Sequence, residues 1–236
     1  QLSAEPAKVF VPLGMIVSVC ALIVIEPDLG AVVIVAASIA LLFIAGAQLR
    51  YFLLLLIAAS GALALLIWVE PYRMERLLAF IDPWAKPYDG GYQLVQALIA
   101  FGRGELVGLG LGEGVQKLYY LPEAHNDFIF AVIAEELGAV GALTLVAVYS
   151  VFIVKIFAVA RAQVEQDALF SGYCCYFIGL IFAFQLLINL GVNTGTLPTK
   201  GLTLPFISYG GNSLIISSAM FGFVLRCAYP LEVRGG

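Results

Sequence analysis

Charged side chains are scarce in this sequence. Of its 236 residues, 12% are charged and 62% are hydrophobic, whereas an ordinary soluble domain carries roughly 25% charged residues. A soluble globule of this size needs polar side chains over its whole surface, and this chain has too few of them. The scarcity of charge therefore excludes an ordinary water-soluble domain and predicts that a lipid bilayer is the solvent for most of the chain.

Other absences narrow the class of protein further. The net charge is −4, and no basic run or alternation of basic and aromatic residues occurs, which excludes a nucleic-acid-binding protein. We expect no signal peptide, because Gln1 opens a short polar stretch, and a first residue other than Met leads us to expect the tail of a longer protein. The cysteines lie in or beside apolar runs and lack the spacing of metal ligands. We expect buried free thiols at Cys20, Cys174, Cys175 and Cys227.

Long apolar runs are abundant instead. A membrane-spanning helix needs about 20 apolar residues, because each residue rises about 1.5 Å through a hydrocarbon core roughly 30 Å thick. The predicted spans are Val9–Ile25, Ala31–Ala47, Tyr51–Val69, Leu137–Ala160, Leu169–Val192 and Leu214–Leu231. The last is the weakest, since Arg226 and Pro230 interrupt it. The fold class predicted by these runs is all-α: a polytopic transmembrane helical bundle.

Two polar stretches divide the bundle. We predict three transmembrane helices in residues 1–69, a long extracytoplasmic loop in residues 70–136, and three further helices in residues 137–236 with a second extracytoplasmic loop at residues 194–213. The first loop is far too long to be a simple connector. The division therefore assigns the chemistry of the protein to the loops and a supporting role to the helices.

The long loop is predicted to be partly helical. Tyr92–Phe101 places Gln93 and Gln96 on one helical face, which is typical of a helix lying in the membrane interface. Alternating glycines from Gly102 to Gly114 allow tight turns and close backbone approach. The apolar stretch Phe128–Ala134 is expected to re-enter the membrane or to cap the next helix.

The distribution of charge predicts the orientation. Basic residues of the short connections fall on one side, which the positive-inside rule assigns to the cytoplasm. They are Lys8, Arg50, Lys155, Arg161, Arg226 and Arg234. Both loops and most acidic residues then face outward, and both ends of this chain lie in the cytoplasm.

The densest polar cluster is Leu121–Phe130, at the end of the long loop. Asp127 and the single histidine, His125, stand directly before apolar residues, so we expect them at the boundary between water and bilayer. Desolvation at that depth raises the pKa of a carboxylate and can poise it as a general base. The alternative is that Asp127 caps the following helix and that His125 is a structural hydrogen-bonding residue.

Two pairs of charged residues also have two interpretations each. Glu135 and Glu136 begin the predicted fourth helix, where acidic residues suit the helix dipole and capping is the simpler role. Arg73 and Arg76 lie three residues apart, so they could form a cationic face for a phosphate or lie as an interfacial pair with their charges in water.

Four weaker signals lie in turns or alone. Lys117 and Lys200 are single cations. Ser208–Ser213 is a glycine turn before a helix, which can cradle an anion but is also an ordinary way for a helix to begin. Glu26–Gly30 is a tight turn with Asp28 as a capping residue.

Motifs along the whole chain resemble the SEDS family (shape, elongation, division and sporulation proteins). They are Pro27–Gly30, Asp82–Trp84, Gly91–Gln93, Gly102–Glu105, Gln116–Lys117, Leu121–Phe130, Glu135–Gly138 and Leu204–Gly211. Leu197–Thr203 looks like the branch of the family that acts in division of Gram-negative bacteria. The family has ten membrane helices, and this chain corresponds to about the last six. It departs from the family pattern at Asn126, Asn212 and Glu26, where Thr, Ser and Gln are usual.

The resemblance implies a peptidoglycan glycosyltransferase that polymerises lipid II (undecaprenyl-diphosphate-linked disaccharide-pentapeptide) at the division septum. It would work on the outer face of the bacterial cytoplasmic membrane. The essential acid of the family falls on Asp127, which would deprotonate the 4-hydroxyl of the acceptor sugar. Candidate ligands of substrate and diphosphate are Arg73, Arg76, Lys117, Glu123, His125, Glu136, Lys200 and Ser208. A divalent cation, Mg²⁺ or Mn²⁺, could assist, although no firm metal cage is evident.

The implied partners are a class B penicillin-binding protein with transpeptidase activity and other division proteins. Two other classes of function stay open. A lipid II flippase would fit polytopic helices with polar residues, although transporters concentrate those residues near the midplane rather than in outer loops. A pure scaffold would not need an acid cluster in a glycine-rich loop.

Overall fold

The computed structural model describes residues 80–85, 87–88, 90–198 and 201–235. Every regular element in these ranges is helical. The elements are α1 (Tyr92–Gly104), a π-helical turn (Gln116–Tyr120), α2 (Ile129–Glu165), α3 (Leu169–Asn193) and α4 (Gly211–Gly235). The three spans predicted within residues 1–69 lie outside the described residues.

Helices α2, α3 and α4 are long and apolar enough to cross a membrane, over Ile129–Glu165, Leu169–Asn193 and Gly211–Tyr229. The prediction of an all-α, polytopic membrane protein is confirmed. Helix α2 contains the predicted span Leu137–Ala160 but begins at Ile129, because the apolar stretch after Asp127 is itself helical.

The chain divides into two compact units. One unit, which we call the loop unit, consists of Tyr72–Lys155 and Gln185–Phe223. The second unit includes Ile156–Phe184 and Val224–Gly236. The described residues of the two predicted extracytoplasmic loops, including the polar cluster around Asp127, belong to the loop unit.

Helix α2 is interrupted at Gly138. This residue has φ 68° and ψ −171°, a conformation outside the helical region that only glycine adopts readily. An interruption removes helical hydrogen bonds, and a helix in a membrane cannot leave the freed groups unsatisfied. The freed groups are the carbonyls of Glu135 and Glu136 and the N–H groups of Ala139 and Val140.

The glycine loop, residues 105–115, fills this interruption. The N–H groups of Leu109 and Gly110 donate to the carbonyls of Glu135 and Glu136 at 3.1 and 3.0 Å. The N–H groups of Ala139 and Val140 donate to the carbonyls of Glu105 and Leu106 at 3.0 and 3.2 Å. The loop backbone thus replaces the missing helical bonds on both sides of the break.

Close packing of backbone on backbone explains the glycines at this contact. Gly108 has φ 82°, and a Cβ atom there would overlap the carbonyl of Glu136. A Cβ atom at Gly138 would overlap the backbone of Leu106 and Gly108. The glycines of the loop and Gly138 therefore permit the loop backbone to enter the break in α2.

Helix α1 buries one face made largely of small residues. Leu94, Val95, Ala97, Ala100 and Gly104 are its buried positions, and burial of this apolar face supplies most of what holds the helix in place. Its alanines join an apolar cluster under the Asp127 region. The other members of that cluster are Leu121, Ala124, Phe128, Ala131, Val132 and Val192, with Phe101 and Ile188 packed against it.

The loop of residues 201–210 is held by contacts with α2 and α4. The Tyr149 hydroxyl on α2 donates to the carbonyl of Pro205. Phe206 meets Phe152 and Phe221 with ring centroids 6.0 and 6.2 Å apart, both pairs close to edge-to-face, a favourable arrangement for aromatic rings. These contacts fix the loop against α2 and α4.

The prediction of buried free thiols is confirmed for Cys175 and Cys227. Cys174 is free as predicted but only half-buried. Cys20 lies outside the described residues.

Candidate active site

Asp127 lies in the turn that leads into α2, where the long loop meets the helix. Its side chain is half-buried, and the next residue, Phe128, belongs to the apolar cluster. On the other side stands Gly201. A Cβ atom built on Gly201 would lie 2.9 Å from Cγ of Asp127 and nearer still to Oδ2. The carboxylate therefore occupies a space that exists because residue 201 has no side chain.

The carboxylate of Asp127 does not cap α2 in this structure. Among the described residues, no backbone N–H donates to either of its oxygens; the N–H of Ala131 in the first turn donates to Oδ1 of Asn193 and to the carbonyl of Phe128, both at 3.0 Å. Of the two sequence interpretations of Asp127, capping is therefore not supported by the hydrogen bonds of this turn.

The environment raises the pKa of Asp127 above its ordinary value. Desolvation by burial is the larger cause, and the negative charge of Glu123 adds to it. Both effects disfavour the charged carboxylate, so the group is a stronger base than a free aspartate. A half-buried carboxyl group with a raised pKa has the property that a general base requires.

Two buried asparagines hold the main chain of Asp127. The side-chain amides of Asn189 and Asn193 both donate to its carbonyl oxygen, at 3.0 and 2.9 Å. They are 1% and 0% exposed, although both lie on the apolar helix α3. The amide of Asn189 also donates to the carbonyl of Leu202 at 2.6 Å, which ties the residue next to Gly201 to the same point.

Ser208 joins the second loop to the Asp127 turn. Its hydroxyl donates to the carbonyl of Asn126 at 2.7 Å and accepts the N–H of Leu204 at 2.6 Å. The N–H of Tyr209 donates to the carbonyl of His125 at 2.8 Å. The single O–H of Ser208 is thus used between loops, and its role as an anion ligand stays a prediction.

Glu123 and His125 lie beside Asp127 and are both exposed. The Asn126 amide donates to the Glu123 carboxylate, so the residue that departs from the family pattern helps to orient Glu123. His125 is fixed through its main-chain carbonyl. The structure therefore brings four predicted residues together: Asp127, Glu123, His125 and Ser208.

Lys117 and Glu136 form a second group. The Lys117 ammonium lies 2.6 Å from Oε1 of Glu136 and donates to the carbonyl of Gly112 at 2.6 Å. The N–H of Gly112 donates to Oε2 of Glu136 at 3.1 Å. Within the described ranges this group shares no hydrogen bond or ion pair with Asp127, and the binding of diphosphate by Lys117 and Glu136 is an untested prediction.

Glu135 completes the second group. Its side chain is fully buried and lies 3.2 Å from an Arg103 guanidinium nitrogen. It accepts the N–H groups of Val115 and Gln116 at 3.2 and 3.1 Å. Glu135 and Glu136 thus fasten the glycine loop to α2 from within the helix, in place of the N-terminal capping role considered for them.

Three of the predicted ligands, Arg73, Arg76 and Lys200, lie outside the described residues. Four residues important to the site were missed by sequence reasoning: Asn189, Asn193, Gly201 and Arg103. A usable signal existed for the asparagines, since two amides four residues apart share a helical face and polar groups are costly within an apolar span. Gly201 carries no comparable signal, because its role depends on what stands opposite it.

Comparison with known proteins gives a consistent result. Residues 1–232 match the cell cycle protein family of FtsW, RodA and SpoVE. The chain is 50% identical over 224 residues to the probable peptidoglycan glycosyltransferase FtsW of Nitrosococcus halophilus, covering 94% of this chain and 57% of that protein. It is 49% identical over 222 residues to the protein of the same name in Coxiella burnetii, covering 94% of this chain and 60% of that protein. The chain therefore spans less than two thirds of the length of these relatives.

Two solved structures are similar in fold. One is described as structural coordination of polymerization and crosslinking by a peptidoglycan synthase complex; it has a TM-score of 0.69 and 30% identity, covering 91% of this chain and 59% of that one. The other is the rod shape determining protein RodA of Thermus thermophilus, with a TM-score of 0.59 and 28% identity, covering 92% of this chain and 55% of that one.

Proposed function

The chain belongs to the cell cycle protein family of FtsW, RodA and SpoVE, and from that premise we propose that it carries the catalytic base of a peptidoglycan glycosyltransferase. The observation on which the proposal depends is the state of Asp127. Its carboxylate has a raised pKa, accepts no hydrogen bond from the described residues, and is held through its own main chain. These features suit a general base, and relatives of this chain are named as probable peptidoglycan glycosyltransferases.

The proposed reaction joins two lipid-linked sugars. Asp127 takes the proton of the 4-hydroxyl of the acceptor, lipid II. The oxygen then forms a bond to the anomeric carbon of the growing glycan, while the bond from that carbon to the diphosphate breaks. Undecaprenyl diphosphate leaves with the electron pair. Because the lipid tails stay in the bilayer, a base at the junction of loop and membrane helix is suitably placed for this substrate.

The leaving diphosphate needs positive charge, since negative charge develops on it in the transition state. Arg73, Arg76, Lys117 and Lys200 are the candidates. A divalent cation could supply the same charge. The described residues contain no group of three or more His, Cys, Asp or Glu side chains suited to a metal, but Mg²⁺ needs only one or two carboxylates when substrate phosphates and water complete its shell.

The partner and the orientation of the chain are part of the proposal. A structural neighbour comes from a peptidoglycan synthase complex that couples polymerization to crosslinking. We therefore propose a class B penicillin-binding protein as the partner, with activity at the division septum. The loops then face the periplasm of the bacterial inner membrane, and both ends of this chain face the cytoplasm.

The test uses the full-length protein with its partner transpeptidase, reconstituted in liposomes with lipid II. The variant Asp127→Ala is expected to form no glycan polymer while still binding lipid II. Glu165→Ala is the matched control, because it removes an exposed carboxylate whose ion-pair partner is Arg161. Polymer of normal length and yield from Asp127→Ala would refute the proposal.

A lipid II flippase is the second candidate, and the break in α2 at Gly138 is the observation that favours it, since transporters use discontinuous helices. The break is filled by loop backbone, which leaves its polar groups satisfied. An assay that follows flipping and polymerisation separately distinguishes the two functions: flipping without polymer would select the transporter.

A further inference from the structure

We infer that Asn189 and Asn193, here called the asparagine clamp, are positioning residues for Asp127. Their amides hold the main chain of Asp127 outside α2, and this keeps its carboxylate free of the helix. The inference rests on the proposed role of Asp127 as the base and adds how that base is kept available.

Asn193 occupies the position of a missing helical hydrogen bond. In a regular helix, the N–H of Ala131 would donate to the carbonyl of Asp127, four residues earlier. Here Nδ2 of Asn193 donates to the Asp127 carbonyl at 2.9 Å, and Oδ1 of the same amide accepts the Ala131 N–H at 3.0 Å. The amide stands between the two backbone groups and bonds to both. Asp127 is thus connected to the helix end without belonging to it.

The orientation of the Asn193 amide follows from its neighbours. If the amide were reversed, its oxygen would face the carbonyl of Asp127 and its NH₂ group would face the N–H of Ala131, and neither contact could be a hydrogen bond. Nδ2 also donates to the carbonyl of Asn189 at 2.9 Å, one turn earlier on α3. The bond to its own helix fixes the side chain before it reaches Asp127.

Asn189 adds the second half of the clamp. Both of its N–H groups are used, one on the carbonyl of Asp127 at 3.0 Å and one on the carbonyl of Leu202 at 2.6 Å. Leu202 is 6% exposed and follows Gly201, whose Cα faces the Asp127 carboxylate. One amide therefore fixes both the main chain of Asp127 and the loop beside its carboxylate.

The clamp also explains why Asp127 does not cap α2. A carboxylate at the end of a helix normally accepts free N–H groups of the first turn, and such bonds would lower its pKa. Oδ1 of Asn193 and the carbonyl of Phe128 both accept the N–H of Ala131, so this donor of the first turn is already engaged. The clamp thus takes one helical donor away from the carboxylate of Asp127.

The test measures steady-state polymerisation by the full-length protein with its partner across a pH series. Asn193→Ala is expected to lower kcat by about 10- to 100-fold, the usual cost of displacing a positioned catalytic group, with KM for lipid II nearly unchanged. The acid limb of the pH profile should move to lower pH, because the released carboxylate can then accept N–H groups of α2. Asn189→Ala should act in the same direction but less, since Asn193 still bonds to Asp127.

Gln163→Ala is the matched control. Gln163 is a buried amide on α2 whose Nε2 donates to the carbonyl of Cys227 at 2.6 Å, and both residues belong to the second unit. Its loss should lower the melting temperature as Asn193→Ala does and leave kcat per folded molecule and the pH profile unchanged.

The possible outcomes distinguish the proposed function from the inference about the asparagine clamp. Absence of polymer from the wild-type protein refutes the proposed function and the inference together. If wild type is active and Asp127→Ala is not, a folded Asn193→Ala with wild-type kcat and pH profile refutes the clamp alone. If Asn193→Ala does not fold, Asn189→Ala decides, and a wild-type kcat and pH profile from that variant overturn the inference.

Discussion

The fold treats two neighbouring carboxylates, Asp127 and Glu135, in opposite ways. Glu135 is fully buried, and its oxygens meet an Arg103 guanidinium and two backbone N–H groups. Asp127 is half-buried, and the described charge beside it is the negative one of Glu123. The chain thus satisfies the carboxylate that is more buried and leaves the carboxylate at the candidate site without a bond among the described residues.

The difference teaches what each group is for. A buried carboxylate is costly unless it is paired and hydrogen-bonded, so the partners of Glu135 indicate a structural role: it fastens the glycine loop in the break of α2. An unpaired, desolvated carboxylate is costly as well. The amides of Asn189 and Asn193 donate to the main-chain carbonyl of Asp127 and not to its carboxylate oxygens. Such an arrangement stabilises the position of Asp127 and preserves its basicity.

The largest expected effect is on activity, at Asp127. Asp127→Asn keeps the shape of the side chain and removes the base, so kcat for polymerisation should fall by about 10²- to 10⁴-fold, the usual contribution of general base catalysis. The measurement is lipid II polymerisation by the full-length protein with its partner. Retention of more than about a tenth of wild-type kcat would contradict a base at this position.

The same variant should be slightly more stable than wild type at neutral pH. The folded-state pKa of Asp127 is raised, so the folded protein binds this proton more tightly than the unfolded chain does. The free energy of unfolding therefore falls as pH rises from the ordinary pKa of aspartate through the raised one. Asp127→Asn removes this loss, and its advantage should vanish in acid. A variant less stable than wild type at neutral pH would show that the carboxylate has a stabilising partner.

The second effect is on stability, at Glu135. Glu135→Ala leaves two backbone donors and Arg103 without their acceptor, which should lower the free energy of unfolding by about 2–4 kcal/mol. Denaturation in detergent measures it. The control is Glu165→Ala, whose exposed pair with Arg161 should contribute within about 0.5 kcal/mol. If Glu135→Ala instead lowered kcat per folded molecule as strongly as Asp127→Asn, the division into a structural and a catalytic carboxylate would be wrong.

A smaller effect is expected at Gly201. A Cβ atom there would overlap Oδ2 of Asp127, and since a carboxylate is the movable end of a side chain, it would shift rather than disrupt the fold. Gly201→Ala should therefore lower kcat by about tenfold with little change in melting temperature. Gly222→Ala is the control, because a Cβ atom at Gly222 meets nothing within 4 Å. Equal kcat values for both variants would show that Asp127 has more room than the structure gives it.

The sequence predicted the membrane helices of the described region because apolar length is a local property. It also singled out Asp127, since an acid directly before an apolar run is visible without the fold. The interruption of α2 at Gly138 was not predictable in the same way. A glycine in an apolar run has no distinct signal until the loop of residues 105–110 is known to pack against it.

The contacts of Glu135 and Glu136 could not be predicted from the sequence either. The sequence pattern places Glu135 and Glu136 at a helix start because the predicted span begins at Leu137, whereas α2 begins at Ile129. Once the helix starts earlier, both acids fall within it, and their contacts come from the glycine loop. A pairing between distant segments depends on tertiary structure and leaves no mark in the local pattern of either segment.

The smallest expected effect concerns the charge of Glu123, the lesser of the two causes that raise the pKa of Asp127. Glu123→Gln removes the charge and keeps an oxygen that can accept the Asn126 amide. The pKa of Asp127 should fall, because one disfavouring charge is gone, yet stay above its ordinary value, because desolvation persists. A base must be deprotonated to act, so the acid limb of the kcat/KM profile should move to lower pH. Glu113→Gln, an exposed carboxylate of the glycine loop, should leave the limb in place. If both variants shifted it equally, the general charge of the loops, rather than Glu123, would set the basicity of Asp127.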